Sequence, residues 1–301
     1  MKAAPFAYVR PGTLEEAVSA LRRDGAKVLA GGQSLVPVLA MRLGRPSALV
    51  DINAVEELSR ITCEGGLLRV GATVRQRHLL RDDCSAQVPL LRLALPWVGH
   101  REIRSRGTVC GSLAHADPSA ELPAVAVCLD ASMVVVGARG RREVAATDFF
   151  TGAMSTAVGA DELLAEVRFP VAGFGEGYGF GEFARRHGDF ALAGVAAKVV
   201  TREEPTAVVT CFGVSDRPVR ADVSAQLRQA LQAISGPVGE TVLRQALGAP
   251  CAEVAEQVVD TGGDSHASPA YRKQLVTAIA ARELSRAYLR SVSTTVGSHQ
   301  A

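Results

Sequence analysis

The segment Val28-Leu29-Ala30-Gly31-Gly32-Gln33-Ser34-Leu35 carries the clearest chemical potential in this sequence. A strand that ends in two glycines and a small hydroxyl residue, then enters a helix, can bare consecutive main-chain N–H groups. Such a nest, assisted by the positive end of the helix, suits a pyrophosphate. An ordinary tight strand–helix turn would leave the same trace. A second turn of similar make, Arg106-Gly107-Thr108-Val109-Cys110-Gly111-Ser112, again sets glycine and hydroxyls between two apolar stretches. Two such loops in separate lobes could grip one dinucleotide from both sides. The stretch that follows, from Leu113 to Pro123, is polar within apolar surroundings. Its carboxylates, Asp117 and Glu121, could bind sugar hydroxyls through charge-assisted hydrogen bonds. Equally, Asp117-Pro118-Ser119 reads as a helix-start turn with Glu121 in the first turn. Both readings can hold together.

The other reactive side chains form no comparable pattern. His78, His100, His115, His187, His266 and His299 include no HExxH and no paired-ligand spacing, so no metal site is expected. Cysteines at 63, 84, 110, 128, 211 and 251 contain no CxxC pair. That argues against a self-contained zinc or iron–sulfur site and, in a chain of this length, against a disulfide framework. Arg185-Arg186 reads as a solvated or ion-paired feature, and Trp97 as core. No triad or paired-carboxylate signal assigns a catalytic residue.

Over 301 residues, 33 Lys+Arg against 31 Asp+Glu leave a net charge of +2, which argues against nucleic acid or an acidic membrane surface as partner. The best apolar run, Leu122 to Leu129, is far shorter than the roughly 20 residues of a membrane span. Met1 to Phe6 lacks a signal-peptide apolar block, so a cytoplasmic location is expected.

The elements that must position these residues follow from pattern. Thr13-Leu14-Glu15-Glu16 is a capping box opening a short helix that Gly25 ends. Strands are expected at Ala26–Ala30, Ser47–Ile52 and Leu67–Ala72, and a helix over Leu35–Leu43. Thr73 is expected to cap a helix through Leu80, and Val88–Val98 to be helical. Ser132–Gly137 and Arg142–Ala146 form a hairpin signal. Glu162–Phe169 is a further strand, stopped by Pro170. Glycine at every second position from Gly173 to Gly181 reads as a flexible crossover into a second domain. Strands at Phe180–Arg185, Leu192–Val200 and Thr206–Val214 come next. Helices at Val223–Ile234, Val242–Leu247 and Tyr271–Val292 close the chain, with a frayed end.

Ala30-Gly31-Gly32-Gln33-Ser34, together with Thr108-Val109-Cys110-Gly111-Ser112-Leu113-Ala114-His115-Ala116-Asp117-Pro118, resembles the FAD-binding medium subunit of molybdenum hydroxylases. That family includes the medium subunit of aerobic carbon monoxide dehydrogenase and the flavin domain of xanthine dehydrogenase. The resemblance continues through Gly99–Arg104, Asp161–Leu164, Ala184–Ala191 and Asp264–Arg272, so it spans nearly the whole chain. It implies an α+β protein: a two-lobed FAD-binding fold of the vanillyl-alcohol-oxidase/PCMH type over residues 1–172, the small lobe ending near 55. An α+β C-terminal domain over 173–290 and a tail at 291–301 would follow.

Position by position, the resemblance implies that Val28, Leu29, Ala30, Gly31, Gly32, Gln33, Ser34 and Leu35 hold the FAD diphosphate. Thr108, Cys110, Gly111 and Ser112 would form the second phosphate-side contact. Asp117 and Glu121 would serve the ribityl or adenosine part, Leu164 would pack near the flavin or adenine, and Phe190 would stand beside the isoalloxazine ring. The sequence departs from the family where many relatives have two glycines and this chain has Cys110-Gly111. Either a positive-φ position falls at Gly111 or Cys110 adopts an ordinary conformation. Cys110 is then a small buried spacer or a reactive thiol near the flavin.

The implied role is electron transfer, with no catalytic residue and no metal ligand on this chain. Noncovalent FAD would receive electrons from 2Fe–2S clusters of a small iron–sulfur subunit and pass them to an external acceptor. A large molybdopterin subunit would hydroxylate the substrate, and the assembly would be a dimer of heterotrimers. A free-standing flavin oxidase or reductase, or a noncatalytic scaffold on the same fold, are the rival readings.

Overall fold

A computed structural model describes residues 2–297, with side-chain surroundings to residue 294. His299 and the end of the expected tail, 298–301, lie outside the described residues. The chain opens with β1 (Ala7–Val9), α1 (Leu14–Leu21), β2 (Ala26–Leu29), α2 (Leu35–Ala40), β3 (Ala48–Asp51), β4 (Ile61–Glu64), β5 (Leu67–Gly71) and α3 (Gln76–Arg81). Helices α4 (Pro89–Ala94), α5 (Arg101–Arg106), α6 (Val109–His115) and α7 (Glu121–Cys128) lead to the hairpin β6 (Ser132–Gly137) and β7 (Gly140–Ala145). Next come α8 (Ala146–Phe149), β8 (Phe150–Gly152), β9 (Ser155–Thr156) and β10 (Glu162–Pro170). The remainder is β11 (Glu176–Phe183), β12 (Ala193–Val200), β13 (Thr206–Phe212), β14 (Val219–Asp222), α9 (Ser224–Gln232), α10 (Glu240–Ala246), α11 (Gly248–Val258) and α12 (Pro269–Gly297).

These elements gather into two compact units that interleave along the chain. Unit 1 takes residues 1–87, 100–116 and 130–170; unit 2 takes 88–99, 117–129 and 171–301.

Unit 1 holds two main sheets. The first is three-stranded and parallel in the order β1-β3-β2. The second is five-stranded and antiparallel in the order β4-β5-β10-β6-β7. Helix α1 starts as its sequence requires: Thr13 Oγ1 accepts from the Glu16 N–H at 3.1 Å, and the Glu16 carboxylate accepts from the Gly12 N–H at 2.7 Å. Its buried residues, Leu14, Ala17 and Leu21, sit at helical spacing. Thr73 does not cap a helix. Its hydroxyl is buried and donates to the Leu58 carbonyl at 3.0 Å, and α3 begins three residues later at Gln76.

Unit 2 is built on the antiparallel sheet β11-β12-β13-β14. One core packs alternate residues of β12 and β13, such as Val195, Val199 and Val209, against Leu227, Leu243, Val254 and Leu284 of α9 to α12. Helix α7 is buried at all eight positions, which is how an all-apolar run too short for a membrane is accommodated. Helix α12 runs beyond the expected end at Val292 to Gly297.

The glycines before and within β11 do not form a flexible crossover. Gly177, Gly179 and Gly181 lie in a fully paired strand, and a β-carbon at Gly177 or Gly179 would overlap the Ala287 or Glu283 carbonyl of α12. The period of two puts all three on one face, shaved flat so that a helix backbone can approach.

Candidate functional site

The first loop leaves the parallel sheet at the end of β2. Gly32 has φ +73°, a conformation glycine adopts without cost. Its carbonyl accepts from the Val36 N–H at 3.0 Å, and the Gln33 side chain donates to the Gly31 carbonyl at 3.2 Å. The main-chain N–H groups of Gly31, Gly32, Gln33 and Ser34 donate to no acceptor among the described residues. The loop is half-buried, with Ser34 exposed.

The second loop reaches the antiparallel sheet, because α6 packs on β5 and β10. Thr108 is the N-cap of α6, and its Oγ1 accepts from the Gly111 N–H at 2.9 Å. A β-carbon at Gly111 would collide with that same oxygen, at 2.5 Å. Glycine is therefore needed here for close approach; its φ is not positive. Cys110 lies in ordinary helical conformation, 2% exposed, its thiol 3.4 Å from the Val70 carbonyl. Burial, and then Glu166, pushes the thiol far above its usual range, so Cys110 is a spacer and not a reactive group.

The loops come from different sheets, yet they touch. A β-carbon at Gly31 would overlap the Arg106 carbonyl oxygen and come within 2.9 Å of Gly107 Cα. A ladder of side chains fastens the junction. Asn53 Nδ2 donates to the Ala30 carbonyl at 2.9 Å, and Arg75 donates to Asn53 Oδ1 and to the Arg106 carbonyl, each at 2.6 Å. Asp51 anchors Asn53 through its Oδ1, and the Tyr8 hydroxyl donates to its Oδ2. Burial alone would raise the Asp51 carboxyl, but hydrogen bonds from Tyr8 and Asn53 outweigh it and hold it below the usual range. Asn53 and Arg75 are absent from the motif-based reading. Their only trace in sequence is a polar pair, Asp51 and Asn53, just where a buried strand ends.

Leu164 also belongs to unit 1. It is 5% exposed, beside the register shift that interrupts the β10–β6 ladder between Leu164 and Glu166.

Asp117, Glu121 and Phe190 fall in unit 2. Asp117 Oδ1 accepts from the Ser119 N–H at 2.8 Å, forming the helix-start turn expected before α7. Glu121 is the first residue of α7 and is 8% exposed. Near it lies Glu182 of β11, also buried, whose Oε2 has no hydrogen-bond partner among the described residues. Burial, followed by the charge of Glu121, pushes the Glu182 carboxyl up to about 8. Phe190 is 70% exposed in the loop between β11 and β12, and in the same loop His187 stacks on Trp97, ring centres 5.8 Å apart. Among the described residues, no group of three or more His, Cys, Asp or Glu could hold a metal ion, and no helix is long and apolar enough to cross a membrane.

Two glycine loops from different sheets, pinned by a side-chain ladder, present a row of N–H groups that have no acceptor among the described residues, an arrangement that suits the diphosphate of a dinucleotide. Residues 4–172 match the family described as FAD binding domain in molybdopterin dehydrogenase, and the chain belongs to that family. It is 36% identical to the caffeine dehydrogenase subunit beta of Pseudomonas sp. (strain CBB1), over 97% of this chain and 98% of that one. It is 32% identical to the carbon monoxide dehydrogenase medium chain of Afipia carboxidovorans, over 95% and 98%. Among solved structures, quinoline 2-oxidoreductase from Pseudomonas putida 86 superposes with a TM-score of 0.83 at 34% identity, over 98% of this chain and all of that one.

FAD fits the residues present. Four consecutive N–H groups without acceptors suit its diphosphate, and the surrounding glycines keep side chains out of their way.

Proposed function

We propose that this chain is the FAD-binding medium subunit of a heterotrimeric molybdenum hydroxylase and serves electron transfer. A small iron–sulfur subunit is the donor, a large molybdopterin subunit hydroxylates the substrate, and an external acceptor takes the electrons. Bound FAD supplies exchange between one-electron and two-electron carriers. This chain's residues bind and orient it. The N–H groups of Gly31, Gly32, Gln33 and Ser34 hold the diphosphate, in a turn set by Val28, Leu29, Ala30 and Leu35. Thr108, Gly111 and Ser112 offer the second phosphate-side contact, to which Cys110 adds main chain alone. Asp117 and Glu121 accept from ribityl or adenosine hydroxyls, Leu164 packs near the ring system, and Phe190 shields the isoalloxazine. FAD is held without a covalent bond. The domain boundary at 172/173, a cytoplasmic location and assembly as a dimer of heterotrimers belong to the same reading.

The observation that carries it is the touching pair of loops with four unsatisfied donors, in a chain that aligns end to end with named dehydrogenase subunits. Substrate choice is assigned to the large subunit, in keeping with relatives named for substrates as different as caffeine and carbon monoxide. Purification from the native host tests this. Co-purifying molybdenum, iron and two further polypeptides support it, whereas full substrate turnover by the lone chain overturns it in favour of a free-standing oxidase or reductase.

A further inference from the structure

In the segment Asp264–Arg272 one arginine is tied into unit 2 at three points. Arg272 is 5% exposed. Its Nη1 donates to the carbonyls of Leu192 and Gly213, and its Nη2 to Asp264 Oδ2 at 2.5 Å. Asp264 in turn accepts from the N–H groups of His266 and Ala267 at 2.8 and 3.0 Å, and His266 Nδ1 lies 3.4 Å from Arg185 Nη1.

Gly213 is the crossing point. Its N–H donates to the Pro118 carbonyl at 2.8 Å, while its own carbonyl accepts from Arg272. Its φ is +72°, and a β-carbon there would come within 2.8 Å of the Ala191 carbonyl. Pro118 belongs to the turn carrying Asp117 and Glu121, and Leu192 closes the loop carrying Arg185 and Phe190. One buried guanidinium therefore holds both segments of unit 2 that bear expected cofactor contacts.

We propose that Arg272 is a positioning residue for FAD: through Leu192 and Gly213 it sets the spacing between the Asp117–Glu121 turn and the Phe190 loop. The inference rests on the proposed function for the statement that these two segments face the cofactor. A guanidinium suits the task because its planar fork addresses several acceptors in fixed directions, which an ammonium of equal charge does not. Its burial makes the arrangement stiff, since withdrawing one partner strands a charge away from water.

The full-length chain tests this with Arg272→Lys, Asp264→Asn and a control, Lys273→Gln, which removes the Lys273–Glu256 ion pair next to Arg272 in sequence. Two quantities are read: the FAD dissociation constant by fluorescence titration, and amide hydrogen exchange over 117–120 and 184–192. Arg272→Lys is expected to raise the dissociation constant about tenfold and to speed exchange in both segments, leaving the β12–β13 ladder unchanged. Asp264→Asn keeps the guanidinium and should act the same way by about threefold; Lys273→Gln should do neither. Unchanged exchange in Arg272→Lys overturns the latch, and so does faster exchange with an unaltered dissociation constant. Should Arg272→Lys fail to fold, Asp264→Asn decides by the same criteria. A wild-type chain that binds no FAD overturns the proposed function instead, and the exchange of the two segments then judges the latch on its own.

Discussion

Glycine serves opposite ends in the two units. In unit 1, Gly31 and Gly32 let a loop turn sharply against Gly107 while main-chain donors stay free. In unit 2, Gly177, Gly179 and Gly181 sit in a strand held in register with β12 along its whole length, and they exist so that α12 can lie on the sheet. Both stretches are glycine-rich in sequence. One keeps N–H groups available to a ligand and the other satisfies them within the fold, so glycine content alone does not mark flexibility or a site.

The sharpest way to break this contrast is Gly179→Val. Its side chain would meet the Glu283 carbonyl, which is helix backbone and cannot swing aside. A loss of about 3 kcal/mol or more is expected, read as a large fall in Tm or failure to fold. A Gly179→Val chain with wild-type Tm would show that the stripe is not a packing surface. Gly32→Val should separate binding from folding. Positive φ makes a β-branched residue strained by about 1–3 kcal/mol, and FAD content of the purified chain should fall to near zero while the chain stays folded. Full flavin occupancy in that variant would remove Gly32 from the phosphate loop.

Arg75→Gln probes the ladder between the loops. It withdraws the donors to Asn53 and Arg106, so FAD should bind about threefold to tenfold more weakly by fluorescence titration. Unaltered affinity would mean that the Gly31–Arg106 contact alone sets the loops.

The smallest effect concerns pH, where buried carboxylates in the two units respond in opposite senses. Asp51 in unit 1 is held below its usual range, so its stabilising contribution is present at neutral pH and is lost as pH falls through its folded value. Glu182 in unit 2 is raised from 4.5 to about 8, so the folded chain keeps a proton that the unfolded chain releases. Stability from this group is greatest below about 4.5, declines up to about 8 and is level beyond. Glu182→Gln should flatten the Tm profile across that window; an unchanged slope would reject the raised carboxyl.

Much of the scaffold could be read from pattern. The Thr13 cap, strand β3, the β6–β7 hairpin and the turn before α7 each declare themselves through a few neighbouring residues. Thr73 misled because a hydroxyl before a helix is a cap only if it stays near that helix; here the Leu58 carbonyl, fifteen residues earlier in the chain, competes for it and wins. The strands β4 and β14 are four residues each, too short for an alternation to stand out, and α11 starts without a capping side chain, although its buried Cys251, Val254, Ala255 and Val258 lie at helical spacing.

What the sequence determined by itself was where the chain can turn and approach itself closely, at two glycine loops of which the first leaves donors without an acceptor among the described residues, and the ordered motifs that make this chain an FAD-binding family member. Local covalent geometry is enough for that, because positive φ and close approach are properties of glycine wherever it stands. Tertiary structure alone decided how those loops are held. Asn53 meets the Ala30 carbonyl across 23 residues, Arg75 meets Arg106 across 31, and Arg272 meets Leu192 across 80. Each is a single polar side chain satisfying a distant carbonyl, and a contact of that kind has no periodicity for a sequence to display.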